Sequence, residues 1–251
     1  MDIQWLISLL SFLFALVVWV WWGSQWYRCR VCCDMRAWMI LLFVLQTAGL
    51  VYDALGVGAC PIVGAGRSIF FIAWSVNLFY LILGRSYRLS ILGIFTLPVL
   101  SILLGTALFH GADELINVGS FWSHFHKGVM MIGSSAVVIS AVAGAVFLIQ
   151  NALLKQQVMS SLSRALPPIQ GLEECMKYLM LVSFIIFVLG CVCGILVDAS
   201  LSTLKAIAVS VLMLGYVGML WRVFRVGVPG KFLAYWSIGV LIVSAFIFQI
   251  S

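Results

Sequence analysis

Residues 4–22 read QWLISLLSFLFALVVWVWW, an apolar run without a single charged residue. At a rise of 1.5 Å per residue, a helix of about this length crosses the roughly 30 Å of hydrocarbon in a bilayer. Similar runs follow, and the predicted spans are 4–22, 37–55, 68–84, 89–109, 125–150, 176–197, 204–221 and 232–250. The seventh is the least secure, because it is short and bounded by Lys205 and Arg222. The chain is therefore predicted to cross the membrane about eight times.

The composition places the whole chain in the membrane. Of its 251 residues, 64% are hydrophobic and 9% are charged, and the mean hydropathy is +1.19. Hydrocarbon offers no hydrogen-bond partners, so the backbone must satisfy itself in helices or in a closed barrel. Continuous apolar runs favour helices, because barrel strands alternate polar and apolar residues. We predict an all-α, polytopic transmembrane helical bundle in which residues 1–251 form a single transmembrane domain.

The distribution of lysine and arginine predicts the orientation. If the N-terminus lies outside, the inner loops carry 11 basic residues and the outer loops and ends carry 3, namely Arg67, Lys127 and Lys205. Short inner loops are enriched in basic residues, so this asymmetry predicts that both termini lie outside. The net charge of +6 is then a topological signal and an attraction to anionic inner-leaflet lipid. The lipid bilayer is thus a predicted partner, and nucleic acid is not.

Motifs for catalysis are absent from the sequence. It contains no nucleophile elbow, no phosphate-binding loop and no zinc-protease motif, so we predict no enzymatic activity and no catalytic residues. Cys29, Cys32 and Cys33 are interpreted as reduced cysteines in an inner loop, with lipid acylation and metal or redox chemistry as alternatives. No separate metal-ion site is predicted.

Few polar side chains fall within the predicted spans. Asp53 lies at the outer end of the second span, and Gln46 and Asn77 are the conspicuous amides near the middle of the membrane. We interpret the two amides as partners in hydrogen bonds between helices. The fifth span is rich in small residues, which permit close helix contact, so we expect it inside the bundle; these residues are Gly128, Gly133, Ser134, Ser135, Ser140, Ala141 and Gly144.

The three histidines offer the candidate binding site. His110, His124 and His126 all fall in or beside the outer loop that joins the fourth and fifth spans. Imidazole is a common axial ligand of heme iron, so the cluster is a candidate heme site. His124 and His126 point in directions about 200° apart on a helix, so His126 would pair with His110 or with a ligand from another chain. The alternative is that the histidines are solvated polar caps.

Several segments resemble the cytochrome c assembly protein family, which includes heme-handling membrane proteins and HemX-like relatives. The resemblance covers about residues 60–225, and it depends on the order and spacing of short strings. These strings are Ser68 to Trp74, Leu78 to Tyr80, Arg85 to Arg88, Leu92 to Pro98, His126 with the helix ending at Asn151, Leu166 to Leu172, and Leu189 to Gly194. The resemblance implies a helical membrane fold and contact of heme with His126 at the outer face.

The chain departs from the heme-handling members at two places. Those proteins hold heme with a tryptophan-rich segment after the sixth span and a histidine beyond the last span. Here the sixth outer loop, 197–203, contains no tryptophan, and no histidine follows the last span. The HemX-like branch is the nearer analogue in size and number of spans.

The sequence therefore supports three functional hypotheses. The first is a HemX-like membrane component or accessory of cytochrome c biogenesis, which contacts heme and works with a protein partner of the maturation machinery in the bacterial cytoplasmic membrane. The second is a transporter or channel for an uncharged or hydrophobic solute, with a polar cavity lined by Gln46, Asn77 and the serines of the fifth span. The third is a structural or regulatory subunit of a membrane complex.

Overall fold

A computed structural model describes residues 3–27, 35–56, 62–86, 92–110, 121–155, 167–196 and 203–249. Within these ranges the chain forms eight α-helices and no β-strand, which confirms the predicted all-α bundle. The helices are α1 (Ile3–Tyr27), α2 (Met35–Gly56), α3 (Ala65–Ser86), α4 (Leu92–His110), α5 (Phe121–Lys155), α6 (Ile169–Leu196), α7 (Thr203–Arg225) and α8 (Gly230–Gln249). Cys29, Cys32, Cys33 and the sixth outer loop lie outside the described residues.

Seven of these helices, α1 to α7, are long and apolar enough to cross a membrane, and the protein is a multi-pass integral membrane protein. The seventh predicted span qualifies through Ile207–Arg225. The helix with the shorter apolar stretch is α8, in which that stretch covers Gly230–Phe246. Helix α8 as a whole has 20 residues, about 30 Å of helix, which still matches the hydrocarbon thickness. The outer location of both termini stays a prediction.

The helices group into two compact units, residues 1–124 and residues 125–251. In the first unit, α4 packs against both α1 and α3, and α2 lies against the same two helices. Its core is made of large apolar side chains that are almost fully buried, including Phe70, Leu83, Leu97, Leu100 and Leu104. That the whole chain acts as a single transmembrane domain stays a prediction.

Small residues bring the helices of the second unit close together. A Cβ at Gly144 of α5 would lie 3.1 Å from the carbonyl oxygen of Ala234 in α8, so any larger residue would push the two helices slightly apart. A Cβ at Gly133 would lie 2.9 Å from the Phe187 ring of α6. Helix α5 is thus packed against both neighbours, and 72% of its most apolar window is buried. The prediction that the small-residue helix lies inside is confirmed.

A tight turn joins α7 to α8. Val226 and Gly227 both donate their N–H groups to the carbonyl oxygen of Arg222, at 3.0 and 3.1 Å. Gly227 has φ of +76°, a left-handed conformation that favours glycine after a helix end. Pro229 then precedes α8, and its carbonyl accepts the N–H of Phe232. The turn therefore places the C-terminal end of α7 beside the N-terminal end of α8.

Candidate functional site

His126 is held against a carbonyl group of α6. Its Nδ1 lies 2.7 Å from the carbonyl oxygen of Gly190, within the second unit. A carbonyl oxygen can only accept, so Nδ1 must carry the proton and donate it. In a neutral imidazole this leaves the lone pair on Nε2. The contact therefore fixes the tautomer in which Nε2 can bind a metal or heme iron.

Two glycines of α6 make room for the imidazole. A Cβ at Gly194 would lie 3.0 Å from Cε1 of His126 and 3.7 Å from its Nε2. Gly190 supplies the carbonyl and also accommodates Sδ of the Met130 side chain, which a Cβ at that position would meet. The ring thus rests on the face of α6 that Gly190 and Gly194 form. This packing limits how far His126 can turn.

The other two predicted ligands are described in the first unit. His110 is exposed at the end of α4, where its Nδ1 lies 2.9 Å from the carbonyl oxygen of Thr106. His124 is half-buried in the first turn of α5, and its Nδ1 has no hydrogen-bond partner among the described residues. Among all the residues that the structure describes, no three histidine, cysteine, aspartate or glutamate side chains lie close enough together to hold a metal ion. The second unit, residues 125–251, contains His126 as its sole histidine.

This arrangement fits a ligand to heme iron. Nε2 of His126 would hold the iron, and a bound heme would supply a metal that accepts a nitrogen ligand. The hydrogen bond at Nδ1 would keep the His126 ring oriented for that role. Assignment of His110, His124 and His126 as cofactor ligands stays a prediction, and the geometry gives His126 the clearest role of the three.

A buried charged cluster joins α1, α2 and α3 in the first unit. The Nε of Arg67 lies 3.6 Å from Oδ2 of Asp53 and donates a hydrogen bond to Oε1 of Gln4 at 2.9 Å. The side chain of Asp53 is 1% exposed and that of Arg67 is 6% exposed. Neither Asp53 oxygen nor Nη1 of Arg67 has a hydrogen-bond partner among the described residues. The charges are thus compensated mainly by each other.

A small cavity borders this cluster. It has a volume of about 20 Å³ and is lined by Gln4, Trp5, Ser8, Gly66, Arg67, Ala107 and Leu108. That volume suits a single water molecule with polar partners. The cluster is therefore best described as a structural ion pair at the end of the first unit.

The ion pair of Asp53 with Arg67 is not predicted by hydropathy. The predicted spans place Asp53 at the end of the second span and Arg67 outside the third. Helix α3 begins at Ala65, so Arg67 lies in its first turn and turns inward. The signal that could have revealed the pair is the short connection between an acid at the end of one span and a base at the start of the next.

The mid-span amides are hydrogen-bonded to each other. The Nδ2 of Asn77 donates to Oε1 of Gln46 at 3.1 Å and to the carbonyl oxygen of Met39 at 3.2 Å. Both amide side chains belong to residues that are 0% exposed. Nearby, Nε1 of Trp74 donates to Oγ1 of Thr47 at 2.9 Å. The prediction of hydrogen bonds between helices is confirmed for α2 and α3.

Serines play the same part in the second unit. Ser140 of α5 donates to Oγ of Ser237 in α8 at 3.0 Å, and Ser237 donates to the carbonyl oxygen of Leu233. The hydroxyl groups of Ser183 and Tyr216 join α6 to α7 at 3.2 Å. Hydroxyl groups that bond in this way hold helices together where water is scarce.

The fold and the site define a class of protein: a polytopic α-helical membrane protein with an oriented histidine on its fifth helix. Comparison with protein-family models, with curated proteins and with solved structures finds no match. The resemblance to the cytochrome c assembly family therefore remains an expectation from the sequence.

Proposed function

We propose that this chain is a non-enzymatic, HemX-like accessory of cytochrome c biogenesis that contacts heme through His126 at the outer face of the bacterial cytoplasmic membrane. The observation that carries the proposal is the 2.7 Å contact between Nδ1 of His126 and the carbonyl oxygen of Gly190. It leaves Nε2 as the free ligand atom. Nε2 of His126 would hold the iron of a bound heme, and the heme would supply a metal that accepts this nitrogen.

The proposal includes a partner. His126 would supply one ligand to the iron, and another chain would supply the second. The sequence lacks the tryptophan-rich loop that holds heme in the family it resembles. We therefore infer that a protein of the maturation machinery completes the site.

The transport hypothesis receives less support from the same geometry. A polar pathway would need Gln46, Asn77 and the fifth-span serines to face a cavity. Gln46 and Asn77 instead bond to each other, and Ser140 bonds to Ser237. Nδ2 of Asn77, Oε1 of Gln46 and the hydroxyl of Ser140 are thus used in contacts between helices, which favours a structural role, although Nε2 of Gln46 and Oδ1 of Asn77 have no partner among the described residues.

The test in cells is the level of mature cytochrome c. In a strain that lacks its own copy of the gene, the wild-type chain should restore cytochrome c, whereas His126→Ala should leave it at the level of the deletion strain, because the axial ligand is gone. Heme staining of membrane cytochromes after electrophoresis measures this.

The matched control is Lys127→Ala, which alters the exposed neighbour of His126 on the same helix and should restore cytochrome c fully. Immunoblotting establishes that all variants reach the membrane in equal amounts. Full complementation by His126→Ala at equal expression would refute the proposal.

A further inference from the structure

Basic side chains collect at one end of the second unit, where α5 and α7 end and α6 and α8 begin. The ammonium groups of Lys155 and Lys231 lie close enough to interact electrostatically. Arg222 stacks on Phe232, the neighbour of Lys231, with its guanidinium carbon 5.9 Å from the ring centroid. We call Lys155, Arg222, Arg225 and Lys231 the basic cluster.

The basic cluster has no acidic counterpart in direct contact. Among the described residues, no carboxylate lies within 4.0 Å of Lys155 or Lys231. The nearest acid on this end is Glu173, whose Oε1 would lie 2.6 Å from a Cβ built at Gly230, so it lies at the N-terminal end of α8. Two cations in contact repel each other, and an anion placed between them removes that repulsion.

An open apolar groove runs from this end along α6 and α7. Its volume is about 420 Å³, and it is lined by Phe184, Val217, Leu220, Trp221, Phe224 and Arg225. The α7 part, from Val217 to Arg225, extends about 12 Å at 1.5 Å per residue. Arg225 lies over the Trp221 ring at 5.1 Å, so the groove is apolar along its length and cationic at its mouth.

We propose that this surface binds an anionic phospholipid, with an acyl chain in the groove and the phosphate among the cations of the basic cluster. An apolar channel that ends beside a cluster of cations matches a lipid whose chain ends in an anionic headgroup. Trp221 has the amphipathic ring that belongs at headgroup level. A zwitterionic lipid fills the groove equally well but gains less from the cations.

Native mass spectrometry of the full chain in mild detergent tests this, by titration with phosphatidylglycerol or with phosphatidylcholine of the same acyl chains. The wild type should bind phosphatidylglycerol more tightly. The double variant Lys155→Gln/Lys231→Gln should lose about fivefold in phosphatidylglycerol affinity for each charge removed, and its phosphatidylcholine affinity should fall by much less. Val217→Trp, which fills the groove, should weaken both lipids.

Lys127→Gln is the matched control, because it removes one positive charge near the opposite end of α5 and should change neither affinity. Equal affinities of the wild type for the two lipids would overturn the proposal. So would a double variant that still prefers phosphatidylglycerol as strongly as the wild type. A dimer without bound lipid in the same spectra would assign the groove to a second copy of the chain and overturn it as well.

Discussion

Asp53→Leu and Arg67→Met, as single variants, should each destabilise the protein by about 3–5 kcal/mol. Each removes one partner of an ion pair whose side chains are 1% and 6% exposed. Loss of Asp53 leaves the Arg67 guanidinium buried without compensation, and loss of Arg67 leaves Asp53 either as an uncompensated carboxylate or, once protonated, as a buried acid without a hydrogen-bond partner. Thermal unfolding in mild detergent, followed by circular dichroism, should show a clearly lower midpoint for both variants than for the wild type.

The double variant Asp53→Leu/Arg67→Met should be more stable than either single variant. It leaves no buried charge, and the remaining cost comes from Oε1 of Gln4, which loses the donor it has at 2.9 Å. Lys127→Met is the control for loss of an exposed charge and should unfold like the wild type. If the double variant were as unstable as the sum of the singles, Asp53 and Arg67 would not be energetically coupled.

Gly194→Leu should weaken heme binding by about 10–100-fold, the range for losing the partner that orients a metal-ligating histidine. The carbonyl of Gly190 cannot be removed by substitution, but a side chain at Gly194 can push the ring away from it. Even a Cβ there would lie 3.0 Å from Cε1 of His126. Titration of the purified variant with hemin measures the affinity, and this prediction rests on the proposed function.

Gly218→Leu on α7 is the matched control, since a Cβ at that position meets nothing within 4 Å. It should bind hemin as the wild type does. Gly194→Ala gives a milder version of the test if the leucine variant folds poorly. Wild-type affinity in a well-folded Gly194→Leu protein would show that the contact with Gly190 does not orient the ligand.

The membrane-spanning architecture could be predicted because it depends on single segments. A run such as 4–22 must become a helix in lipid, whatever the rest of the chain does. The sequence also predicts that Gln46 and Asn77 form hydrogen bonds between helices, because an amide group in the hydrocarbon region needs a hydrogen-bond partner. It was harder to predict which helix has the shortest apolar stretch. Helix α7 is long and apolar enough to cross a membrane, and the shorter apolar stretch belongs to α8.

The details of the site could not be predicted, because they depend on how helices meet. The partner of His126 is a backbone carbonyl 64 positions away, and a backbone group carries no sequence signal. Arg67 was assigned to a loop, since a span boundary that moves by one turn changes whether an arginine points outward or into the bundle. Such contacts follow from packing geometry, which hydropathy does not record.

The most direct test of heme binding by His126 is the Soret absorption of the full chain, purified in mild detergent from heme-replete cells. The wild type should show a Soret band. His126→Gly should lack it, and added imidazole should restore it by supplying the missing nitrogen to the iron. A wild-type protein without a Soret band, or a His126→Gly protein with an undiminished band before imidazole is added, would contradict the account.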